Sequence, residues 1–97
     1  MSNFVLIDKK PVAEPDILTW SKWFESANRR VDETQIGDAS VSTVFLGIDH
    51  SFGSGPPLLF ETMVFCGPLD QEQDRCSTWE QAQRMHNDMC TRVRKSA

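Results

Sequence analysis

The side chains best suited to catalysis begin at Asp49-His50, directly after an apolar run. An acid–histidine pair activates a hydroxyl or thiol that lies within hydrogen-bond reach. The nucleophilic side chains formally available to this pair are Ser51, Ser54, Cys66 and Cys76. The sequence singles out none of them, and it lacks the G-x-S-x-G pattern of a nucleophile elbow. Because Asp and His are common at turns and loop starts, we expect Asp49 and His50 to shape a loop and expect no catalytic residue.

Glu61 is the other candidate acid, because it lies within an apolar run that extends from Leu58 to Cys66. In a strand it would share one face with Leu59, Met63 and Phe65. A carboxylate among such neighbours is a candidate general acid or ligand anchor with a raised pKa. The alternative, which we favour, is a glutamate on a solvated face that pairs with an arginine of the next strand.

The remaining motifs predict neither a cofactor nor a metal. Gly53-Ser54-Gly55 lacks the Lys-Ser/Thr ending of a phosphate loop, and prolines rather than a helix follow it. His86 is expected on the apolar face of a helix, where a histidine is more often a hydrogen-bonded core residue than a ligand. The spacing of Cys66, Cys76 and Cys90 matches no zinc site, and their odd number argues against a disulfide framework.

Runs of β-branched and aromatic residues predict the strands that carry these side chains. Strands are expected over residues 3–8, 41–48 and 58–66, and the last two should pair as an antiparallel hairpin. Weaker patterns indicate short strands over 32–36 and at 75–76. The polar residues that follow residue 7, together with Pro11, should end the first strand.

Two helices complete the predicted fold. Ile17, Trp20, Phe24 and their neighbours recur at helical spacing, which predicts a helix over 16–29 that ends in two arginines. Ser77-Thr78-Trp79-Glu80 has the pattern of a capping box and predicts the start of a second helix. The order β-α-(β)-β-β-(β)-α indicates an α+β fold, with an antiparallel sheet of three to five strands and two helices, in a single domain over residues 1–97.

The strand faces suggest a binding surface. If the helices cover Val44, Leu46, Phe60 and Val64, the opposite face of the sheet keeps a row of apolar side chains near water. That row consists of Phe45, Leu59, Met63 and Phe65, with Glu61 among them. Such a patch usually marks an interface. The loop 49–57 adds Phe52, flanked by His50, as a candidate anchor for a partner.

Charge and hydropathy exclude several classes of protein. Ten basic against 14 acidic residues give a net charge of −4, which argues against direct binding to a nucleic-acid backbone. No apolar run approaches the 18 residues of a membrane span. The N-terminal segment lacks the basic start of a signal peptide. We therefore expect a cytoplasmic protein without a membrane partner.

Three segments resemble a family of small proteins encoded in bacteriophage and prophage genomes. They are residues 41–50, 56–65 and 75–82, followed by His86, and the resemblance extends from about Trp20 onward. Relatives usually carry tyrosine where this chain has Cys76. The resemblance implies a phage or prophage origin and a role in the bacterial cytoplasm, and it carries over no catalytic residue.

Three functions remain as hypotheses. The first is a non-enzymatic accessory protein that binds a host protein, for example an inhibitor of a defence complex of the CRISPR type; a homodimer through the same face is the related option. The second is an oligomer that holds a small ligand or nucleotide signal, with Arg29, Arg30 or Arg75 beside the loop 49–57. The third is a small enzyme that uses His50 and Glu61, which we regard as the weakest.

Overall fold

The computed structural model describes residues 2–96, so Met1 and Ala97, the ends of the predicted domain, lie outside the described residues. Strands and helices follow one another in an order that confirms the predicted α+β class. The elements are β1 (Phe4–Ile7), β2 (Lys10–Ala13), α1 (Ile17–Ser26), β3 (Arg30–Ile36), β4 (Ala39–Phe45), β5 (Phe60–Phe65), β6 (Gln73–Cys76) and α2 (Trp79–Ser96).

The main sheet has four antiparallel strands in the order β3-β4-β5-β6. The weak patterns at 32–36 and 75–76 thus correspond to real strands, and the hairpin of β4 and β5 is confirmed. Both strands end earlier than predicted, β4 at Phe45 and β5 at Phe65, whereas β4 begins two residues earlier, at Ala39. β4 ends before Gly47, which adopts φ +79, and β5 ends before Cys66, which adopts φ +70. Left-handed residues break the extended backbone that a ladder needs.

The N-terminal segment departs from the prediction. Asp8 and Lys9 end the first strand, as expected, but both adopt positive φ angles and form a tight turn that the prediction did not include. The chain then returns as β2, which pairs with β1 in a separate two-stranded sheet. Pro11 is accommodated because β2 is an edge strand, where a missing N–H leaves no ladder bond unmade.

Helix α1 is shorter than the predicted 16–29. The Asp16 carboxylate accepts a hydrogen bond from the Leu18 N–H at 3.0 Å and caps the helix. The backbone turns extended at Ala27, with φ −73 and ψ 142, so the two arginines that follow do not belong to the helix. Its aromatic residues are only half-buried, and the Trp20 indole N–H donates to the carbonyls of Phe4 and Gly47.

The capping box of α2 lies one residue later than predicted. The Gln81 N–H donates to the Thr78 hydroxyl at 3.1 Å, and the Gln81 side-chain oxygen accepts from the N–H groups of Ser77 and Thr78. Thr78 and Gln81 therefore occupy the positions that Ser77 and Glu80 were expected to fill. Threonine and glutamine satisfy the same box pattern as serine and glutamate, so the predicted register was one residue too early.

Helix α2 covers one face of the main sheet, and this placement corrects the predicted faces. Phe45 is fully buried, because β4 turns Val41, Thr43 and Phe45 towards the helix and Val44 away from it. In the register, Phe45 lies opposite Phe60, which was correctly expected to be covered. The prediction that Phe45 lies near water is therefore wrong.

Leu59 was also expected near water and is buried, with 1% of its surface exposed. It lies one residue before β5, outside the regular alternation of that strand. Phe4 and Leu6 of β1, together with Trp23 of α1, pack against the same apolar cluster. The N-terminal elements thus close this end of the sheet, and Leu59 belongs to the core.

Candidate functional site

The face of the main sheet opposite α2 forms a surface that no element of residues 2–96 packs across. We call it the open face. Strand alternation and register place side chains of all four strands on it. The open face consists of Arg30, Glu33, Gln35, Ser40, Ser42, Val44, Glu61, Met63, Phe65, Gln73 and Arg75.

Three apolar side chains lie in the middle strands of the open face: Val44, Met63 and Phe65. Val44 lies opposite Glu61, and Met63 is the next residue of β5 on the same face, so Val44 and Met63 are diagonal neighbours. Phe65 is 46% exposed, whereas Val44 and Met63 are partly buried. We call these three residues the apolar stripe.

The charged side chains of the open face pair with one another. Glu61 Oε2 accepts a hydrogen bond from Arg75 Nε at 2.9 Å across β5 and β6. Arg30 and Glu33 form a second ion pair along β3. The favoured interpretation of Glu61, a carboxylate paired with an arginine of the next strand, is confirmed. The open face therefore presents an apolar stripe between mutually neutralised charges.

Asp49 organises the loop 49–57, as expected. Its Oδ1 accepts hydrogen bonds from the N–H groups of Ser51 at 2.8 Å and Leu58 at 3.0 Å. The pKa of Asp49 is lowered, and the hydrogen bonds with Ser51 contribute most to this effect. The His50 N–H donates to the Leu58 carbonyl at 3.1 Å, which closes the base of the loop. This carboxylate holds a turn, in agreement with the structural role predicted for it.

The enzymatic hypothesis requires a serine or cysteine side chain that pairs with His50. Among the hydrogen bonds of residues 2–96, none joins the His50 ring to a serine or cysteine side chain. Burial raises the pKa of the Cys76 thiol to about 11, so this thiol stays protonated at neutral pH. Cys66 is exposed and Cys90 is buried, and all three thiols are free. A protonated thiol is a weak nucleophile.

Beside the loop lies an open cavity of about 450 Å³, lined by Asp49, His50, Ser51, Phe52 and Arg75. The Phe52 side chain is 98% exposed. Arg75 lines this cavity and also pairs with Glu61, so it joins the cavity to the open face. The structure thus brings His50, Phe52 and Glu61 into one region of the surface through Arg75.

The other arginines proposed for a shared pocket have different partners. The Arg29 guanidinium lies over the Phe24 ring, 4.0 Å from its centroid, and donates to the Phe45 carbonyl. Arg30 pairs with Glu33 on β3. Of the three candidate arginines, Arg75 is the one that lines the cavity.

Only three residues of the open face, Glu61, Met63 and Phe65, were among the predicted site residues. Val44 and Arg75 are the missed members that lie in the apolar stripe and beside the cavity. Val44 was placed on the covered face, and Arg75 was considered only for the ligand hypothesis. The signal that would have found Val44 is the register between β4 and β5, which sets Val44 opposite Glu61 rather than opposite Phe60. A hairpin whose loop is as long as residues 46–59 does not reveal that register in the sequence.

No cluster of three or more metal-ligating side chains occurs among the described residues. Within residues 2–96, neither helix is both long and apolar enough to cross a bilayer. Comparison of the chain with protein-family models, curated proteins and solved structures found no match.

Proposed function

We propose that this chain is a non-enzymatic binding protein that docks on a different protein through its open face. One observation carries the proposal: the apolar stripe of Val44, Met63 and Phe65 lies on a sheet face that no described element covers. Interfaces commonly combine a small apolar centre with a polar rim. Ser40 and Ser42 flank the stripe on β4, and the two ion pairs supply the charged part of the rim.

The open face fits a partner protein better than a second copy of this chain. A standard interface uses about 20–30 residues on each side and buries about 800 Å² per partner. The open face offers about half that number of side chains. In a two-fold contact each copy must match this rim with the same patch, whereas a different protein can carry side chains complementary to both ion pairs. A different protein that engages both the open face and the adjoining loop 49–57 reaches the standard size.

The resemblance to phage and prophage proteins supports the choice of partner class. A small phage protein in the bacterial cytoplasm meets host proteins, and an inhibitor of a host defence complex would need only a binding surface. The host-directed inhibitor is therefore the specific form of the function that we propose.

The experiment is photo-crosslinking from the open face in a bacterial lysate. A crosslinker at position 63 is expected to trap one host protein, and Phe65→Glu should abolish that product. Ile17→Glu is the matched control, because Ile17 is 56% exposed on α1, outside the open face. Both variants should melt within about 8 °C of the parent protein, so that a lost crosslink does not reflect unfolding.

The proposal fails if the crosslinked species survives Phe65→Glu or disappears equally with Ile17→Glu. A crosslinked dimer of this chain, supported by a doubled mass in light scattering, would assign the face to a second copy instead. The variant pair thus separates a specific partner from background capture.

A second function, binding of a small ligand, is favoured by the cavity that Arg75 shares with the loop 49–57. Its Arg75, His50 and Ser51 side chains offer donors to an anion, and the exposed Phe52 ring offers a stacking surface. Thermal-shift measurements with adenosine monophosphate and with inorganic phosphate test it. An increase in melting temperature that Arg75→Gln removes would support this function, and no increase at millimolar ligand would exclude it for these two ligands.

A further inference from the structure

A buried polar layer crosses the core between α2 and the main sheet. It consists of Thr43, Thr62 and His86, each with 1% or less of its surface exposed. One apolar cluster, which includes Val41, Val64 and Met89, lies on one side of it, and the cluster around Phe45 and Phe60 lies on the other. Buried polar groups persist in a core when they are hydrogen-bonded.

Both ring nitrogens of His86 have hydroxyl partners on the strands. Nδ1 lies 2.7 Å from Thr43 Oγ1, and Nε2 lies 2.9 Å from Thr34 Oγ1. The Thr43 hydroxyl is also hydrogen-bonded to the Thr62 hydroxyl. The imidazole of α2 is thereby linked, directly or through one hydroxyl, to β3, β4 and β5.

The neutral imidazole matches this arrangement. A neutral ring has one donor nitrogen and one acceptor nitrogen, and a hydroxyl serves as either partner. A protonated ring donates from both nitrogens, so both hydroxyls would have to accept. Protonation also places a full charge in a buried layer, which disfavours the charged form.

The charged group that faces the ring comes from β3. Asp32 Oδ2 lies 3.7 Å from His86 Nε2, and its side chain is 55% exposed. The residues of β4 and β5 near the ring are the uncharged Thr43 and Thr62. On α2 itself, Cys90 lies one turn after His86 and has a buried thiol. Asp74 of β6 lies opposite Thr62 on an exposed edge. Burial lowers the pKa of His86, and the charge of Asp32 partly opposes this effect.

We propose that His86 makes the stability of the fold acid-sensitive. The neutral imidazole holds α2 against three strands through hydrogen bonds, and its protonation destabilises this packing. The direction follows from proton linkage. The unfolded chain binds this proton near pH 6.5, and the folded chain binds it only at lower pH. Stability is therefore fully present above about pH 6.5 and decreases as pH falls towards the folded pKa. This inference does not depend on the proposed function.

The experiment is urea unfolding of the purified protein at several pH values between 7 and 5. One proton taken up only by the unfolded chain raises the unfolding constant up to about 25-fold over this interval. The chain has two histidines, so the assignment is direct. His50→Gln should keep the pH dependence, and His86→Gln should flatten it. Carboxylates titrate mostly below this interval.

Nuclear magnetic resonance gives a second test that does not depend on a variant that folds. In the parent protein the His86 ring should titrate below pH 6.5, the ordinary value for a histidine. Asp32→Asn should lower the His86 midpoint further, because it removes the charge that favours protonation. The proposal is overturned if His86 titrates at or above pH 6.5 in the folded protein, or if His50→Gln removes the pH dependence of stability.

Discussion

A phenylalanine-to-alanine substitution should cost different amounts of stability on the two faces of the main sheet. Phe45 is fully buried and lies edge-on to Trp23, with 5.9 Å between the ring centroids, and 5.3 Å from Phe60. Phe45→Ala removes a packed ring and leaves a cavity, which costs about 3–5 kcal/mol. Phe65 is 46% exposed on the open face. Phe65→Ala loses only about half of the transfer free energy of the side chain, which costs about 1 kcal/mol, and it leaves no cavity.

These magnitudes predict well-separated melting temperatures. For a domain of this size, 1 kcal/mol corresponds to about 4–8 °C. Phe45→Ala should therefore lower the melting temperature by roughly 12 °C or more, and Phe65→Ala by less than about 8 °C. Circular dichroism at 222 nm is the appropriate measurement, because Trp23 contacts the Phe45 ring and its fluorescence would change for local reasons. Equal shifts for the two variants, or a larger shift for Phe65→Ala, would refute the assignment of the two faces.

Three further predictions concern local features of the fold, and thermal melting checks each of them. Trp79→Phe should cost less than about 1 kcal/mol, because the buried indole N–H of Trp79 has no hydrogen-bond partner and its loss removes a desolvation penalty; a loss of several kcal/mol would contradict this. Thr78→Ala should cost about 1 kcal/mol as a lost helix cap, whereas Ser77→Ala should cost clearly less. The reverse order would support the originally predicted capping box of Ser77 and Glu80. Gly47→Ala should destabilise the fold far more than Gly37→Ala. Both glycines adopt positive φ, but a Cβ at Gly47 would lie 3.0 Å from an aromatic ring of α1, whereas one at Gly37 would meet nothing within 4 Å. Equal losses of stability would show that backbone strain alone determines the cost.

Local periodicity was sufficient to predict the fold class and the order of the elements other than β2. The spacing of Ile17, Trp20 and Phe24 predicted α1, and the β-branched run in residues 41–48 predicted β4, because both patterns reflect the repeat of a single element. The role of Asp49 in a turn was also predictable, because its partners Ser51 and Leu58 are close to it in the sequence. The return strand β2 was missed because two residues other than glycine, Asp8 and Lys9, form its turn in the left-handed region, which the sequence does not signal.

Alternation along β4 determined that Thr43 and Phe45 share one face and Val44 lies on the other. It did not determine which of these faces α2 covers, because that depends on the register with β5 and on the docking of a helix distant in the sequence. The partners of His86 show the same limit: Thr34 and Thr43 are 52 and 43 residues away along the chain. Residue types and their repeat are local properties and are visible in the sequence. The choice between the buried and the open face, and the contacts that hold the buried histidine, arise only when distant elements pack together.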